Sequence, residues 1–456
     1  MRITLLLLLT FFSITLFSQQ DSLLKKFKYR IDHYQAINFN IGGSGQYNNT
    51  DYASGKNESN SSGGNLGANY SFLKSTDRIL LNLAVGAYSY ASFGSNENQF
   101  SKVKNSSFYG SPYLYVQNKW FGKKIFTELG ANITTGFSGN KNTTKNSAQD
   151  NESKNKQTQY SITVTAGIGK GRLENITDMQ NALWLYKALQ DENKLSHSLT
   201  DDELNNLGRS ITKANNTRVL DSRRRTQFML ETVDSFLQTT NAIAANDIRY
   251  FSTLNDILFF AFNNQRLSGT ELFFRVTPSA GKDNQDQTNQ FPSTNSENKS
   301  LTKAIQASAG INKYVPANLK HQNNYGFSVK ANWINWDYSD KYFVSGNPVT
   351  IQEINSTLKQ AGVTAFFQHA VYPNTRTIIS FDLSGETGYQ DLEGENSFFG
   401  QANVSATLNY FISYRTRLTG GIGVMYRNNI YQAIYDLTLL PNSFSLNGNI
   451  GLQVSL

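Results

Sequence analysis

Cysteine is missing from all 456 residues of the chain. Without cysteine the protein forms no disulfide bonds, and zinc sites built on thiolates are excluded. Attachment of lipid to a cysteine is excluded for the same reason, so the chain is not a lipoprotein of that kind.

Charge is also scarce, because only 17% of the residues are Asp, Glu, Lys or Arg. Soluble domains usually carry about 25%. The formal net charge of +8 is spread along the chain without a long basic run, which argues against nucleic acid as a partner. After residue 17 no apolar run approaches the roughly 18 residues that a membrane-spanning helix needs. If the mature chain enters a membrane, it therefore does so with strands.

Aromatic residues and glycine are abundant by comparison. The chain has 24 Tyr, 30 Phe and 33 Gly, and aromatic residues make up 13% of it. Few charges, many aromatics and many small polar residues are typical of a membrane β-barrel with a lipid-facing surface.

Residues 1–19 have the pattern of a signal peptide. Arg2 supplies a positive charge, residues 3–17 form an apolar stretch, and residues 18–20 offer a cleavage site. The alternative is an uncleaved anchor helix. The sequence thus predicts an exported protein.

Apolar and small polar residues alternate along several segments, as they do in a strand with one apolar and one polar face. The alternation is clearest at 160–169, 325–333, 402–410 and 444–456. A soluble antiparallel sandwich also alternates in this way. The length of the strands, the largely uncharged polar face and the aromatic residues near strand ends favour a membrane barrel.

About fourteen such strands are predicted, six within residues 20–174 and eight within residues 268–456. Tight links at 74–78 and 121–124 contrast with long links rich in Asn, Ser, Lys and Gly at 49–64, 92–106, 137–158, 280–302 and 337–360. Short turns on one side and long polar loops on the other are typical of outer-membrane barrels. The even number of strands places both chain ends on the short-turn side, which is the periplasmic side.

Residues 175–267 interrupt the strands with a helical pattern. Thr177 with Gln180, and Thr200 with Glu203, have the spacing of capping boxes. Apolar stripes predict about four helices. The stripes are Met179, Ala182, Leu183, Tyr186 and Leu189; Leu204, Leu207 and Ile211; Met229, Val233 and Phe236 or Leu237; and Ala244, Ile248, Phe251, Leu254 and Leu258. Because this insert separates the sixth and seventh strands, we expect it on the periplasmic side.

The strands and their links resemble those of the outer-membrane β-barrel proteins of Gram-negative bacteria, of the porin or transporter kind. The resemblance covers residues 36–171 and 269–456, and the chain ends on Leu456 where many members end on Phe. It implies a transmembrane antiparallel β-barrel in the outer membrane. Such a barrel contacts membrane lipid and lipopolysaccharide and is assembled by the barrel-insertion machinery. The resemblance does not extend to the helical insert.

The densest basic cluster lies at the start of the third predicted helix. Its members are Arg218, Arg223, Arg224 and Arg225. Arginines of this kind bind phosphate or carboxylate groups through paired hydrogen bonds, here on lipid headgroups, an acidic polymer or a periplasmic protein partner. The alternative is a solvated helix face balanced by nearby acidic residues.

Three glycines, Gly167, Gly169 and Gly171, follow a strand and precede the first predicted helix. Their spacing is superficially that of a dinucleotide-binding fingerprint, but the third glycine comes one position early and the βαβ context is missing. We interpret them as the bend at which the chain leaves the barrel wall for the insert.

Histidine is rare, with four in the chain and none at a metal-ligand spacing. The sequence therefore predicts no metal, no cofactor and no enzymatic activity, with a hydrolase built on a serine and His369 as the least favoured alternative. The leading prediction is passage of a solute or polymer across the outer membrane, with the insert as a gate or docking module. The competing prediction is a non-conducting anchor whose insert binds periplasmic envelope machinery.

Overall fold

The structure is a computed structural model. It describes residues 19–52, 55–98, 100–146, 150–217, 222–260, 265–290, 293–413, 416–428, 430–433, 437–440 and 442–454. The expected signal peptide up to residue 18, Arg218 and Leu456 lie outside the described residues.

Fourteen strands form one antiparallel sheet in which each strand pairs with the next along the chain. The first six are β1 (Ile31–Tyr52), β2 (Gly55–Ser75), β3 (Ile79–Glu97), β4 (Ser101–Phe121), β5 (Phe126–Asn146) and β6 (Asp150–Asn175). The next seven are β7 (Leu267–Asn289), β8 (Thr294–Pro316), β9 (His321–Val344), β10 (Asn347–Asn374), β11 (Thr377–Leu392), β12 (Glu395–Ser413) and β13 (Thr416–Asn428). A small hairpin of β14 (Ile430–Ala433) and β15 (Leu437–Leu440) precedes the last strand, β16 (Ser443–Val454). The expected fold class and strand number are confirmed.

Five links predicted to be long loops consist instead mainly of paired strands over their described residues. Between β1 and β2 the pairing continues through Asn49 and Glu58, and between β5 and β6 it continues through Lys141 and Lys154. The first ten strands are therefore 19 to 28 residues long. Backbone hydrogen bonds form the ladder whatever the side chains, so segments with polar residues on both faces remain strands without showing a period of two.

The sheet has an apolar face and a polar face. On β9 the apolar face carries Tyr325, Phe327 and Val329, whose side chains are 40%, 50% and 46% exposed. On the same strand the polar face carries Asn324 and Lys330, which contact Gln368 of β10 and Glu386 of β11. Exposed apolar residues recur in register on the other strands. An apolar surface of this extent requires another apolar phase or a partner to cover it.

Five helices accompany the sheet in the part of the chain that the structure describes. They are α1 (Gln19–Lys26), α2 (Thr177–Asp191), α3 (Asp201–Asn216), α4 (Ser222–Thr239) and α5 (Ile248–Phe260). The last four lie between β6 and β7, as the sequence predicts. Among the helices of the described ranges, none is both long and apolar enough to cross a membrane.

The helices pack around one hydrophobic core, and the helices together are called here the helical domain. The predicted stripes of α2 and α3 are buried, as are Met229, Val233 and Leu237 of α4. In α5 the predicted stripe is right at Leu254 and Leu258, which are buried, and wrong at Ile248, which is 85% exposed while Tyr250 is buried. The Tyr250 hydroxyl donates to Asp234 Oδ1 at 2.8 Å, which turns the ring towards α4.

One of the two predicted capping boxes forms. Thr200 accepts from the Glu203 amide while the Glu203 side chain accepts from the Thr200 amide. The box at Thr177 does not form, because Ile176 is the N-cap residue of α2. The Thr177 hydroxyl instead accepts from the amide of Arg266 at 2.9 Å, which ties the start of the helical domain to its end.

Helix α1 is not predicted from the sequence. Its residues Leu23 and Leu24, together with Phe27 beyond its end, are buried in the core of the helical domain. Helix α1 also contacts β7 and β8. Helix α1, with Phe27, thus belongs to the helical domain rather than to the strands.

Candidate functional site: the polar face and its junction with the helical domain

Four charged side chains form a buried cluster on the polar face. Lys119 of β4 places its Nζ 2.7 Å from Glu271 Oε2 of β7 and 4.0 Å from Glu128 Oε2 of β5. Arg275 of β7 completes the cluster, with Nε 2.8 Å from Glu128 Oε2 and Nη2 2.8 Å from Glu271 Oε1. Only 4% of Glu128 and 3% of Glu271 is exposed. Two cations and two carboxylates compensate one another, which offsets the cost of burying each charge.

The three glycines singled out in the sequence lie beneath this cluster, within β6. Gly167 pairs with Glu128 on one side and with Arg275 on the other. A Cβ atom on Gly167 would lie 3.0 Å from Arg275 Cγ. The missing side chain therefore leaves the space through which Arg275 reaches Glu128 across β6.

Contrary to the expectation from the sequence, the chain does not leave the sheet at these glycines. Pairing between β6 and β7 continues to Asn175 and Leu267. Gly171 has a φ of 92° while still paired with Glu271. The chain leaves the sheet after Asn175, where the ladder to β7 ends.

We expect Gly169→Ala to destabilise the sheet. A Cβ atom at this position would lie 2.3 Å from the carbonyl oxygen of Leu272 and 2.3 Å from Phe126 Cζ. Overpacking of this kind costs about 1–3 kcal/mol. Urea unfolding of the detergent-solubilised chain, followed by tryptophan fluorescence, measures the effect. Gly139→Ala is the matched control, because a Cβ atom there meets nothing within 4 Å; equal losses in the two variants would contradict this account.

Arg266 fixes the junction between the helical domain and the sheet. Its side chain is fully buried. It donates to Gln322 Oε1 at 2.7 Å and to the carbonyl oxygens of Leu319 and His321 at 2.9 and 2.8 Å. Leu319 and His321 belong to the turn between β8 and β9 and its end, so one guanidinium ties the last residue before β7 to a neighbouring turn.

A chain of amide side chains leads from Arg266 along the polar face. Gln322 donates to Asn324 at 2.8 Å, Asn324 to Gln368 at 2.6 Å, and Gln368 to Asp382 at 2.5 Å. Each amide accepts from one neighbour and donates to the next, so the chain runs in one direction from the cation to the carboxylate. Lys330 and Glu386 form a further ion pair on the same face, 2.5 Å apart.

The helical domain also contacts the sheet away from this junction. Asp256 of α5 forms an ion pair with Arg376 in the turn between β10 and β11. These residues border a cavity of about 490 Å³ that separates α2 and α5 from this turn. Near β1, the Tyr29 hydroxyl is 3.0 Å from Asn216 Nδ2 of α3. All of these contacts are at the end of the sheet that carries the short turns.

A carboxyl group is buried inside the helical domain. Asp178 of α2 accepts from the Thr212 hydroxyl at 2.7 Å and from Asn215 Nδ2 at 2.8 Å. Burial raises the pKa of the Asp178 carboxyl above its ordinary range, against the lowering effect of these two hydrogen bonds. Burial and the nearby Asp178 also raise the pKa of the Tyr29 hydroxyl to about 12.

The stability of the helical domain should therefore fall as the pH rises. A carboxyl group with a raised pKa in the folded state holds its proton more tightly there than in the unfolded state. Its contribution is greatest below the ordinary pKa of about 3.9 and is lost as the pH rises through the folded-state value, by up to about 1.4 kcal/mol per pH unit. Hydrogen exchange of α2 and α3, corrected for intrinsic rates, measures this loss. Asp178→Asn should abolish this part of the dependence; an unchanged profile in the variant would contradict the assignment.

The predicted arginine cluster is only partly described. Arg218 and the side chain of Arg223 lie outside the described residues. Arg224 is exposed and Arg225 is half-buried on the first turn of α4. Binding of an anion or a protein partner by these residues stays a prediction.

Three histidines, His197, His321 and His369, contact an amide, a hydroxyl or another imidazole. His369 of β10 lies with Nδ1 2.6 Å from Asn323 Oδ1, and its ring stacks on His321 at 5.6 Å. In the helical domain, Ser196 Oγ is 3.1 Å from His197 Nδ1, but the same hydroxyl donates to the carbonyl oxygen of Asn241 at 2.5 Å. Its proton is therefore directed away from the imidazole. Within the described ranges, no three His, Asp or Glu side chains are grouped to hold a metal ion.

No family model and no curated protein matches the chain. Among solved structures, it is similar to the transport unit of the autotransporter AIDA-I from Escherichia coli, with 12% identity over 98% of this chain and 94% of that one and a TM-score of 0.24. It is also similar to the translocator domain of the autotransporter NalP from Neisseria meningitidis, with 7% identity, 93% and 88% coverage and a TM-score of 0.24. The toluene transporter TodX from P. putida gives 8% identity, 89% and 88% coverage and a TM-score of 0.27. The fold class is assigned from the fourteen-stranded antiparallel sheet itself and not from these likenesses.

Proposed function

We propose that the chain is a non-enzymatic outer-membrane barrel that passes a solute, with its polar face as the wall of a conduit. One observation carries this proposal: charged and amide side chains contact one another across several strands on one face, while the other face exposes Phe327, Val329 and similar residues. A closed barrel satisfies both faces, because lipid covers the apolar one and water the polar one. Outer-membrane lipid and lipopolysaccharide are then its surroundings, and the barrel-insertion machinery assembles it.

The helical domain is proposed as a gate at the periplasmic mouth. Its contacts near β1, at the turn of Leu319 and at the turn of Arg376 are spread along the short-turn edge of the sheet. In a closed barrel these points lie around one rim. A domain held at several points of a rim restricts the opening until some of its contacts are released.

The ion pair between Asp256 and Arg376 is the contact best suited to a test. It joins α5 to a turn distant in sequence from both junctions of the insert, and both side chains are more than one-third exposed. Exposed pairs contribute up to about 1 kcal/mol, and a contribution of that size shifts an equilibrium between closed and open states about fivefold.

Recording from the full-length chain in planar bilayers tests the proposal. Asp256→Asn should raise the fraction of time spent open, because it removes the negative charge that pairs with Arg376. Asp191→Asn is the control, since it makes the same change of charge in the wall of the same cavity. The proposal fails if the chain inserts but carries no ionic current in any variant.

The anchor function remains the second candidate. Its support is the exposed surface of the helical domain, where Ile248 is 85% and Phe251 38% exposed and Arg224 is exposed. An exposed apolar pair on a helix suits a protein partner of the periplasm. Under this reading the barrel carries no current, and Ile248→Asp abolishes association with periplasmic proteins.

A further inference from the structure

A cavity of about 870 Å³ lies on the strands β1 to β5, at the end away from the helical domain. This volume is in the range of ligand sites, about 300–1,000 Å³. Hydroxyl and amide groups dominate its wall. They include Ser44, Gln46, Ser61, Ser92, Asn105 and Asn140.

Lys141 is the one charged residue among those that border the cavity, and the register places its side chain on the other face of the sheet. Across 42–48, 59–66, 88–96, 103–110 and 137–143, the charged residues are Lys104 and Lys141. The cavity-lining Asn105 pairs with Asn142, so the alternation of β-strands places Lys104 and Lys141 on the opposite face. Lys141 is moreover paired with Glu152 at 2.7 Å. The charged cluster of Lys119 lies on the same face but nearer the short turns.

Tyrosine rings lead from the cavity along β3 and β4. Tyr90 lines the cavity, and Tyr109 lies directly opposite it in the register. The ring of Tyr88 is 6.5 Å from that of Tyr109, and the three side chains are 40% to 41% exposed. Further along, Tyr113 covers Gly86, and Tyr115 donates to Gln117 at 2.9 Å. The rings thus form a column between the cavity and the charged cluster.

This combination selects for a ligand that carries many hydroxyl groups and no charge. A hydroxyl both donates and accepts, and so do the side chains of Ser, Tyr, Asn and Gln, whereas Lys only donates and carboxylates only accept. The faces of tyrosine rings meanwhile cover the apolar C–H surfaces that a sugar ring presents. An anionic or cationic ligand would find no opposite charge in the cavity with which to pair.

We propose that the cavity and the tyrosine column form a path for neutral oligosaccharides. This inference rests on the proposed conduit and names the class of solute that the conduit takes. The hydroxyl and amide groups exchange hydrogen bonds with the sugar as it moves, and the rings Tyr88, Tyr90 and Tyr109 hold it against the wall.

Two measurements on the full-length chain test the path, with maltohexaose as the probe. The first is block of ionic current in planar bilayers, using Asp256→Asn to open the mouth. The second is calorimetric binding to the chain in detergent, which does not depend on conduction. Maltohexaose should block and bind, while tetraglutamate and a polyethylene glycol of equal size should not.

Variants of the rings give the decisive comparison. Tyr90→Ala and Tyr109→Ala should each weaken maltohexaose binding about tenfold, the effect of losing one ring contact of about 1.4 kcal/mol. Tyr90→Phe and Tyr109→Phe should retain most of the affinity, because the ring face remains. Tyr160→Ala is the matched control, since Tyr160 is 50% exposed on the apolar face of β6.

The outcomes separate this inference from the conduit itself. Ionic current without maltohexaose binding overturns the sugar path and leaves the conduit standing. Binding that depends on Tyr90 and Tyr109 without any current supports the sugar site and overturns the conduit. Equal loss of affinity in Tyr160→Ala, or block by tetraglutamate as strong as by maltohexaose, overturns the assignment of the ligand class.

Discussion

Val329→Arg is expected to prevent stable insertion of the chain into a membrane. Val329 lies on the apolar face of β9, 46% exposed, and its register partners Ala309 and Val363 are also apolar. A cation at the middle of the lipid-facing surface of a barrel costs about 2–4 kcal/mol. Reversible unfolding in phospholipid vesicles measures the loss of stability.

The same substitution on the polar face should be much milder. Asn332 of β9 lies on that face, with its amide 3.3 Å from Gln360, and Lys330 already places a cation nearby. Water in a conduit hydrates an added charge, so Asn332→Arg should lose less than half as much stability as Val329→Arg. Equal losses would mean that the two faces of the sheet have the same surroundings.

Replacing helices α2 to α5 of the helical domain with a short turn should leave an inserted barrel that passes solutes faster. The amide of Ile176 donates to the carbonyl oxygen of Arg266 at 2.8 Å, so these residues already close the ladder between β6 and β7. Joining them through Asn-Gly in place of residues 177–265 gives a tight hairpin of the favoured kind. Swelling of liposomes in isotonic sugar solution should become several-fold faster, because nothing then covers the mouth.

Heat resistance of the variant on an unheated gel is the control for assembly. The helices bury their apolar stripes against one another, so the sheet does not need them for its pairing. If the variant assembles but swelling is unchanged, the helical domain is not a gate. If it does not assemble, the helical domain is part of the folding core of the barrel.

Periodicity predicts the sheet because alternate side chains of a strand lie on opposite faces, and one face is apolar while the other is polar. The alternation at 325–333 predicts both a strand and which of its faces is apolar. Tyr325 and Phe327 lie exposed on that apolar face, as predicted. The same rule fails at 337–360, where polar residues occupy both faces although β9 and β10 remain paired. Alternation therefore shows where the two faces of a strand differ in polarity, but it does not show where the strand ends.

The buried cluster was beyond local reasoning for a different reason. Within β5 the nearest charged residue to Glu128 is Lys141. The partners of Glu128 in the cluster, Arg275 and Lys119, come from β7 and β4. Their meeting depends on the register of four neighbouring strands and on the missing side chain of Gly167. Charged residues are rare at polar-face positions of the sequence, so each residue of the cluster can be singled out there. The sequence does not show which of these residues contact one another.

The two predicted capping boxes also show that local spacing does not settle which side-chain contacts form. The Thr200 box forms because its partners are three residues apart. Thr177 has the same spacing, but its hydroxyl is used by the distant amide of Arg266. Tertiary contacts thus decide between two local patterns that look alike.

Reaction of single cysteines with a membrane-impermeant thiol reagent tests whether this sheet encloses a water-filled conduit. The natural absence of cysteine makes the chain a ready background, and each of the residues 328–333 of β9 can be replaced in turn in the liposome-inserted protein. The account predicts fast reaction at Ser328, Lys330 and Asn332, where water reaches the thiolate, and slow reaction at the three positions whose side chains face lipid. Fast reaction at positions 329, 331 and 333, or no alternation at all, would contradict a water-filled conduit enclosed by this sheet.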